Sequence, residues 1–304
     1  MLCKVTERSR FGAPLHFRAM TFDPIAWAAR HGATPGLPLD RAAVPTTAGT
    51  VLVDATSLLC AVDPEVAAVT VESRLREEGL TLGLFPERYE AASIGDLVAA
   101  DEPGAGASGR GFASLLAGRD DGLLLLGVRR RPAAQSGRGL LVESFGAGCE
   151  AMRAMAQSGV LPEIALVADR EAAGLLLDVA GDPDRASRQI GDDQALLILI
   201  AAGGQGEAAA RAERAIAACA TSLVADLGQN VARAWATSRY DLASHVEALR
   251  AAGYRLDTTR AWYRWSHLAG AFADAADGVW RGRELVGATP HGAVLQDRLL
   301  YALA

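Results

Sequence analysis

Trp235 and Arg239 stand four residues apart in a segment of good helix formers, so a helix would place both side chains on one face. A guanidinium beside an indole suits an anion. Its planar donor fork matches a carboxylate or a phosphate, and the ring supports the cation from below. Trp262 and Trp265 could complete an apolar wall around such a site, or simply pack in a core. Arg239 also has Asp241 close in sequence, and a surface ion pair with it is the competing assignment. Gly203-Gly204-Gln205-Gly206 lies between an apolar run and a helical pattern and mimics a phosphate loop. It lacks the Lys-Ser/Thr of a P-loop and the full GxGxxG spacing, so nucleotide binding there is not expected. Asp120-Asp121 and Asp192-Asp193 have no histidine or third carboxylate spaced to complete a metal site. No metal ligand set is expected.

Several elements must hold these residues. Asp23-Pro24 predicts a capped helix start, ended near Gly32. Residues 51–53 and 68–71 read as strands around a turn at Asp63-Pro64, with a short helix over 72–78. Ser93 caps a helix over 93–100. Residues 101–111 carry five glycines or prolines and read as loop. Residues 123–128, 139–144, 164–168, 196–201 and 223–226 read as strands, and 147–158, 169–179 and 206–221 as helices. That alternation predicts an antiparallel or mixed sheet with helices on one face. The polar break at 135–138 marks a division of the chain.

Composition narrows the function classes. The 304 residues are 50% hydrophobic, enough for a large core. A net charge of −6 disfavours a nucleic-acid partner, and Arg129-Arg130-Arg131 reads as a solvated edge. The four cysteines are scattered, with no CxxC, which fits neither a zinc site nor a disulfide framework. With no signal peptide and no long apolar run, a cytoplasmic protein without a membrane partner is expected.

The stretch over residues 51–95 resembles the FAD-binding domain of the FAD-linked oxidases of the vanillyl-alcohol oxidase and p-cresol methylhydroxylase type. The nearest likeness is to the branch that includes alkyldihydroxyacetone-phosphate synthase. The run Phe145…Cys149-Glu150-Ala151-Met152-Arg153 and the turn at 158–162 are similar to that family's cap domain, and Gly253…Asp257-Thr258 to a motif of the branch. The resemblance implies an α+β fold: a truncated FAD-oxidase-type N-terminal domain over 1–134 and a ferredoxin-like α+β cap domain over 135–304. It implies cofactor contacts from Ser93, Ile94, Gly95, Gly104, Gly106 and Ser108. It implies catalytic roles for Arg239, His291 and Tyr301, and substrate contacts from Trp235, Asp257, Thr258, Trp262 and Trp265. His291 is equally readable as a surface turn residue.

The family's flavin is held by a glycine-rich loop. The matching stretch here, His31-Gly32-Ala33-Thr34-Pro35-Gly36-Leu37-Pro38, keeps two glycines and has two prolines that donate no hydrogen bond. Asp96 stands where a further glycine is usual, and a block is missing between Gly111 and Gly118. The expectation is an enzyme repurposed on this scaffold, acting on a small anion, with FAD binding reduced or absent. A flavin-poor accessory subunit and a working FAD enzyme with unusual pyrophosphate contacts are the alternatives. Apolar surface left by the missing block would be covered by a second copy or by a flavoprotein partner.

Overall fold

The computed structural model describes residues 23–31, 48–89, 91–101, 111–239, 241–272 and 280–302. Helix α1 (Pro24–Arg30) comes first, with Asp23 accepting from the N–H groups of Ile25 and Ala26, both at 3.0 Å. Then follow β1 (Val51–Asp54), β2 (Leu59–Val62), α2 (Ala68–Glu77), β3 (Leu80–Thr81), α3 (Ile94–Ala99), β4 (Leu116–Asp120), β5 (Leu123–Gly127) and β6 (Arg129–Arg130). Strands β1, β2, β5 and β4 make a four-stranded antiparallel sheet in that order.

The β1–β2 turn is set by Asp54, whose carboxylate accepts from the N–H groups of Thr56 and Ser57, both at 3.0 Å. The second strand of this pair is therefore 59–62, and residues 68–71, expected as a strand, form the first turn of α2. Ala68, Val71 and Leu75 are fully buried at helical spacing against Cys60, Val62 and Leu126. A four-residue apolar run carries no period of its own, so helix and strand look alike in it.

The second layer system is built from β7 (Ala134–Val142), α4 (Phe145–Gln157), β8 (Ile164–Ala168), α5 (Arg170–Val179), β9 (Ala195–Gly203), α6 (Glu207–Ala218), β10 (Leu223–Gly228), α7 (Gln229–Ser238), α8 (Asp241–Ala251), β11 (Tyr254–Arg264), α9 (Trp265–Leu268), β12 (Trp280–Thr289) and β13 (Gly292–Ala302). Seven strands form an antiparallel sheet in the order β10-β7-β9-β8-β12-β13-β11. The architecture is α+β, as expected.

The helices cover both faces of this sheet rather than one. Leu197 and Leu199 of β9 pack with Met152 and Met155 of α4 and Ala215 of α6. Leu196, Ile198 and Ile200 point the other way, against Ala173 of α5 and Val231 and Trp235 of α7. Burial on both sides is why β9 reads as one continuous apolar run and not as an alternation.

Two glycines of β7 let α7 sit close. A Cβ at Gly139 would lie 2.6 Å from Cγ1 and 2.7 Å from Cβ of Val231, and one at Gly137 would lie 2.9 Å from Cβ of Ala232. Gly139→Ala is expected to cost about 1–3 kcal/mol in urea unfolding, because Val231 Cβ cannot swing away from the clash. Adding Val231→Ala should return only the part due to Cγ1, because alanine keeps the Cβ that lies 2.7 Å from the new methyl.

Candidate functional site

A cleft of about 780 Å³ lies between α2 with the segments around it and the seven-stranded sheet with α7. Its walls come from α2, residues 81–89, residues 129–137, Glu163 and α7. Arg76, Arg129, Arg131, Arg233 and Arg239 line it, against two carboxylates, Glu72 and Glu163. Both carboxylates are engaged. Glu72 accepts from Thr81 Oγ1 at 2.6 Å and from the Leu82 N–H at 2.9 Å. Burial pushes its carboxyl above the usual range, against the lowering effect of those bonds and of Arg76 and Arg131. Glu163 accepts from the Ala202 N–H at 2.6 Å and from Arg211 at 2.8 Å. Arg129 and Arg233 donate to neutral oxygens, Gly83 O at 3.0 Å and Asn230 Oδ1 at 2.6 Å. The cleft therefore carries an excess of positive charge between low-dielectric walls, which concentrates anions.

Arg239 caps the C-terminal end of α7, and its Cζ lies 4.8 Å from the Phe85 ring and 5.8 Å from the Trp235 ring. The expected guanidinium-on-indole arrangement is present. Of the tryptophans expected to supply an apolar wall, Trp235, Trp262 or Trp265, none lines the cleft. Trp235 is buried in the core under α7. Trp265 packs on the opposite face of the sheet and donates its Nε1–H to Thr289 O at 3.0 Å. Trp262 is 51% exposed on β11. Phe85 is the ring that the sequence did not single out.

His291 and Tyr301 are not brought together either. His291 is exposed in the β12–β13 turn, and Tyr301 lies near the far end of β13, roughly 30 Å away at strand rise. Asp257 and Thr258 are neighbours on β11 and so face opposite ways. Asp257 accepts from Arg255 Nε at 2.6 Å and from the Tyr301 hydroxyl, in a partly solvated cross-strand cluster. Thr258, itself exposed, shares the face of Arg298 and accepts from it at 3.3 Å.

The segment expected to hold a flavin is spent on the fold. The Ile94 N–H donates to Val66 O at 2.9 Å, Gly95 N–H to Pro64 O at 2.7 Å, and Asp96 N–H to Ser93 Oγ at 3.1 Å. A Cβ at Gly95 would lie 3.0 Å from Pro64 Cβ and O, so this glycine serves a close approach of backbone to Pro64. These three donors are engaged within the chain. Gly104, Gly106 and Ser108 lie outside the described residues, as does the His31–Pro38 stretch beyond His31.

A second polar centre was not anticipated. Arg298 is 1% exposed and Glu284 2%, on adjacent strands of the sheet. Gln296, Arg260 and Thr258 join them on the same face. Glu87 reaches in from the 81–89 wall of the cleft and pairs with both Arg298 and Arg260. Inward-facing Gln296 and Arg298 between Val294 and Leu300 were the available signal, because polar residues at core-facing positions of a strand demand partners.

Residues 131–279 match the model of the FAD linked oxidases, C-terminal domain. Those residues carry the C-terminal domain signature of the FAD-linked oxidases. The chain is similar in fold to alkyldihydroxyacetonephosphate synthase, with a TM-score of 0.71 and 16% identity over 84% of this chain and 57% of that one. It is also similar to p-cresol methylhydroxylase with substrate bound, at 0.58 and 14%, over 83% of this chain and 63% of that one. The 4-ethylphenol oxidase from Gulosibacter chungangensis gives 0.57 and 11%, over 84% and 64%. The chain thus spans about three fifths of the length of each solved relative. No protein with a curated description matches the sequence. Among the described residues of this FAD-linked oxidase relative, no helix is long and apolar enough to cross a membrane, and no group of three metal-ligating side chains occurs.

Proposed function

We propose that this chain takes a small anionic substrate into the arginine-lined cleft beside α7 and does not depend on a tightly held flavin. The excess of guanidinium groups over engaged carboxylates in the cleft carries this reading. The name of the alkyldihydroxyacetonephosphate synthase relative contains a phosphate ester, an anion of the class such a cleft favours. The engaged donors at Ile94, Gly95 and Asp96 support the flavin half of the proposal.

The test is calorimetric titration with inorganic phosphate, together with the visible spectrum of the purified chain. Saturable binding and no flavin absorption are expected. Arg239→Ala should weaken phosphate binding by roughly 1.5–3 kcal/mol, the range for a hydrogen bond to a charged group. Arg239→Lys should restore only part, because the planar fork is lost. Unchanged affinity in Arg239→Ala would remove this residue from the site. One firmly bound FAD per chain would overturn the flavin half.

A further inference from the structure

We propose that Arg298, Arg260 and Gln296 form a second ligand site, built for a monocarboxylate, which Glu87 fills from within the chain. A ligand carboxylate takes the same place when residues 82–89 withdraw. This inference stands independently of the arginine-lined cleft.

The geometry is that of a bound ligand. Arg298 presents its fork to Glu87: Nη1 donates to Oε2 at 3.2 Å and Nη2 to Oε1. Arg260 Nη2 adds a bond to Oε2 at 3.3 Å, and Gln296 Nε2 one to Oε1 at 3.4 Å. Four donors thus converge on two coplanar oxygens, the arrangement that recognises a carboxylate. All the donors come from β11 and β13, and the acceptor alone comes from a loop more than 170 residues earlier in the chain.

The frame of the site does not need Glu87. Arg298 Nε donates to Glu284 Oε1, Gln296 Nε2 to Glu284 Oε2 at 3.1 Å, and Arg260 Nε to Gln296 Oε1. These bonds fix the orientation of every donor from within the sheet. Without Glu87 the frame holds two guanidiniums against the one carboxylate of Glu284. One negative charge balances it, and a dianion would leave a buried excess. The site is also reachable, since the Glu87 and Arg260 side chains are 22% and 23% exposed while Arg298 and Glu284 behind them are closed off.

The segment that brings Glu87 also builds the cleft wall. Phe85 lies against Arg239 and meets Tyr89 edge-on at 5.5 Å, and both rings line the cleft. A carboxylate that replaces Glu87 would therefore release that wall.

The experiment uses Glu87→Ala in the full chain, with formate as the probe. Melting is followed against rising formate, with chloride and inorganic phosphate as controls at matched ionic strength. Formate should raise the midpoint saturably, by roughly 5 °C at a hundredfold excess over its Kd, and chloride and phosphate should not. If Glu87→Ala is unfolded in chloride, formate should restore its helical circular dichroism. Glu87→Gln, whose amide still fills the site, should melt independently of formate. In the unaltered chain, high formate should speed amide exchange over residues 82–89, and chloride should not. Absence of a formate-specific effect in Glu87→Ala, or of faster exchange in the unaltered chain, overturns the proposal and leaves Glu87 as a fixed structural ion pair.

Discussion

Arg298→Ala is expected to lower the stability of the chain by about 3–5 kcal/mol, the range for stranding one side of a buried ion pair. The guanidinium is 1% exposed and serves two carboxylates, Glu284 at 2% exposure and Glu87. Its removal leaves charge in a place that water cannot reach. Burial already pushes the Glu284 carboxyl above its usual range, against the pull of Arg298, so the variant should raise it further. The folded variant then binds more protons than its unfolded chain. Its stability must fall as pH rises and recover as pH drops. The deficit against the unaltered protein should be larger near pH 8 than near pH 5 in urea titrations. Arg298→Met combined with Glu284→Leu and Glu87→Leu should recover much of the loss, because a well-packed apolar replacement often matches a buried ion pair. A loss under about 1 kcal/mol in the single variant would show that water reaches the cluster after all.

Trp235→Ala is expected to cost a similar amount, about 3–5 kcal/mol, from a large cavity under α7. It should also weaken phosphate binding in the cleft, because the indole lies 5.8 Å from the Arg239 guanidinium that it supports. Trp265→Ala separates the two effects. That side chain packs on the other face of the sheet, so its loss should reduce stability and leave phosphate affinity unchanged. Chemical denaturation and calorimetry on the same samples read both. Equal affinity losses in the two variants would mean that general loosening, and not support of Arg239, explains the effect.

Local signals in the sequence were legible where a short-range cap or turn decides the matter. Asp23 and Ser93 each cap the helix that follows, and β8 spans the predicted 164–168. Arg239 was legible as well, because its relation to Trp235 depends only on helical spacing. What stayed hidden depends on partners distant in the chain. Arg129 and Arg131 are exposed, as a solvated edge would be, but that they also line the cleft with α2 and α7 depends on the fold. Gln296 and Arg298 break the apolar pattern of β13, and their compensation by Glu87 lies 209 and 211 residues away. Trp262 and Trp265 are three residues apart, yet a strand ends between them and sends them to different surroundings.

The seven-stranded sheet is joined unevenly. Strand β9 pairs with β7 over nine positions and with β8 over five, whereas β8 and β12 share two, Ala168 with Glu284 and Val167 with Leu285. Beyond those, the Asp169 N–H reaches Arg283 O at 2.9 Å. Across so narrow a backbone seam the four- and three-stranded parts are held chiefly by side chains, Leu285 and Leu295 on one face, Val286 and Val294 on the other, and the Arg283–Asp169 pair. Amide protons of β11, β12 and β13 should then exchange with solvent as a group, ahead of those in β7 and β9. Such an order of exchange would mean that the three-stranded half, which carries the donors around Glu87, loosens before the other.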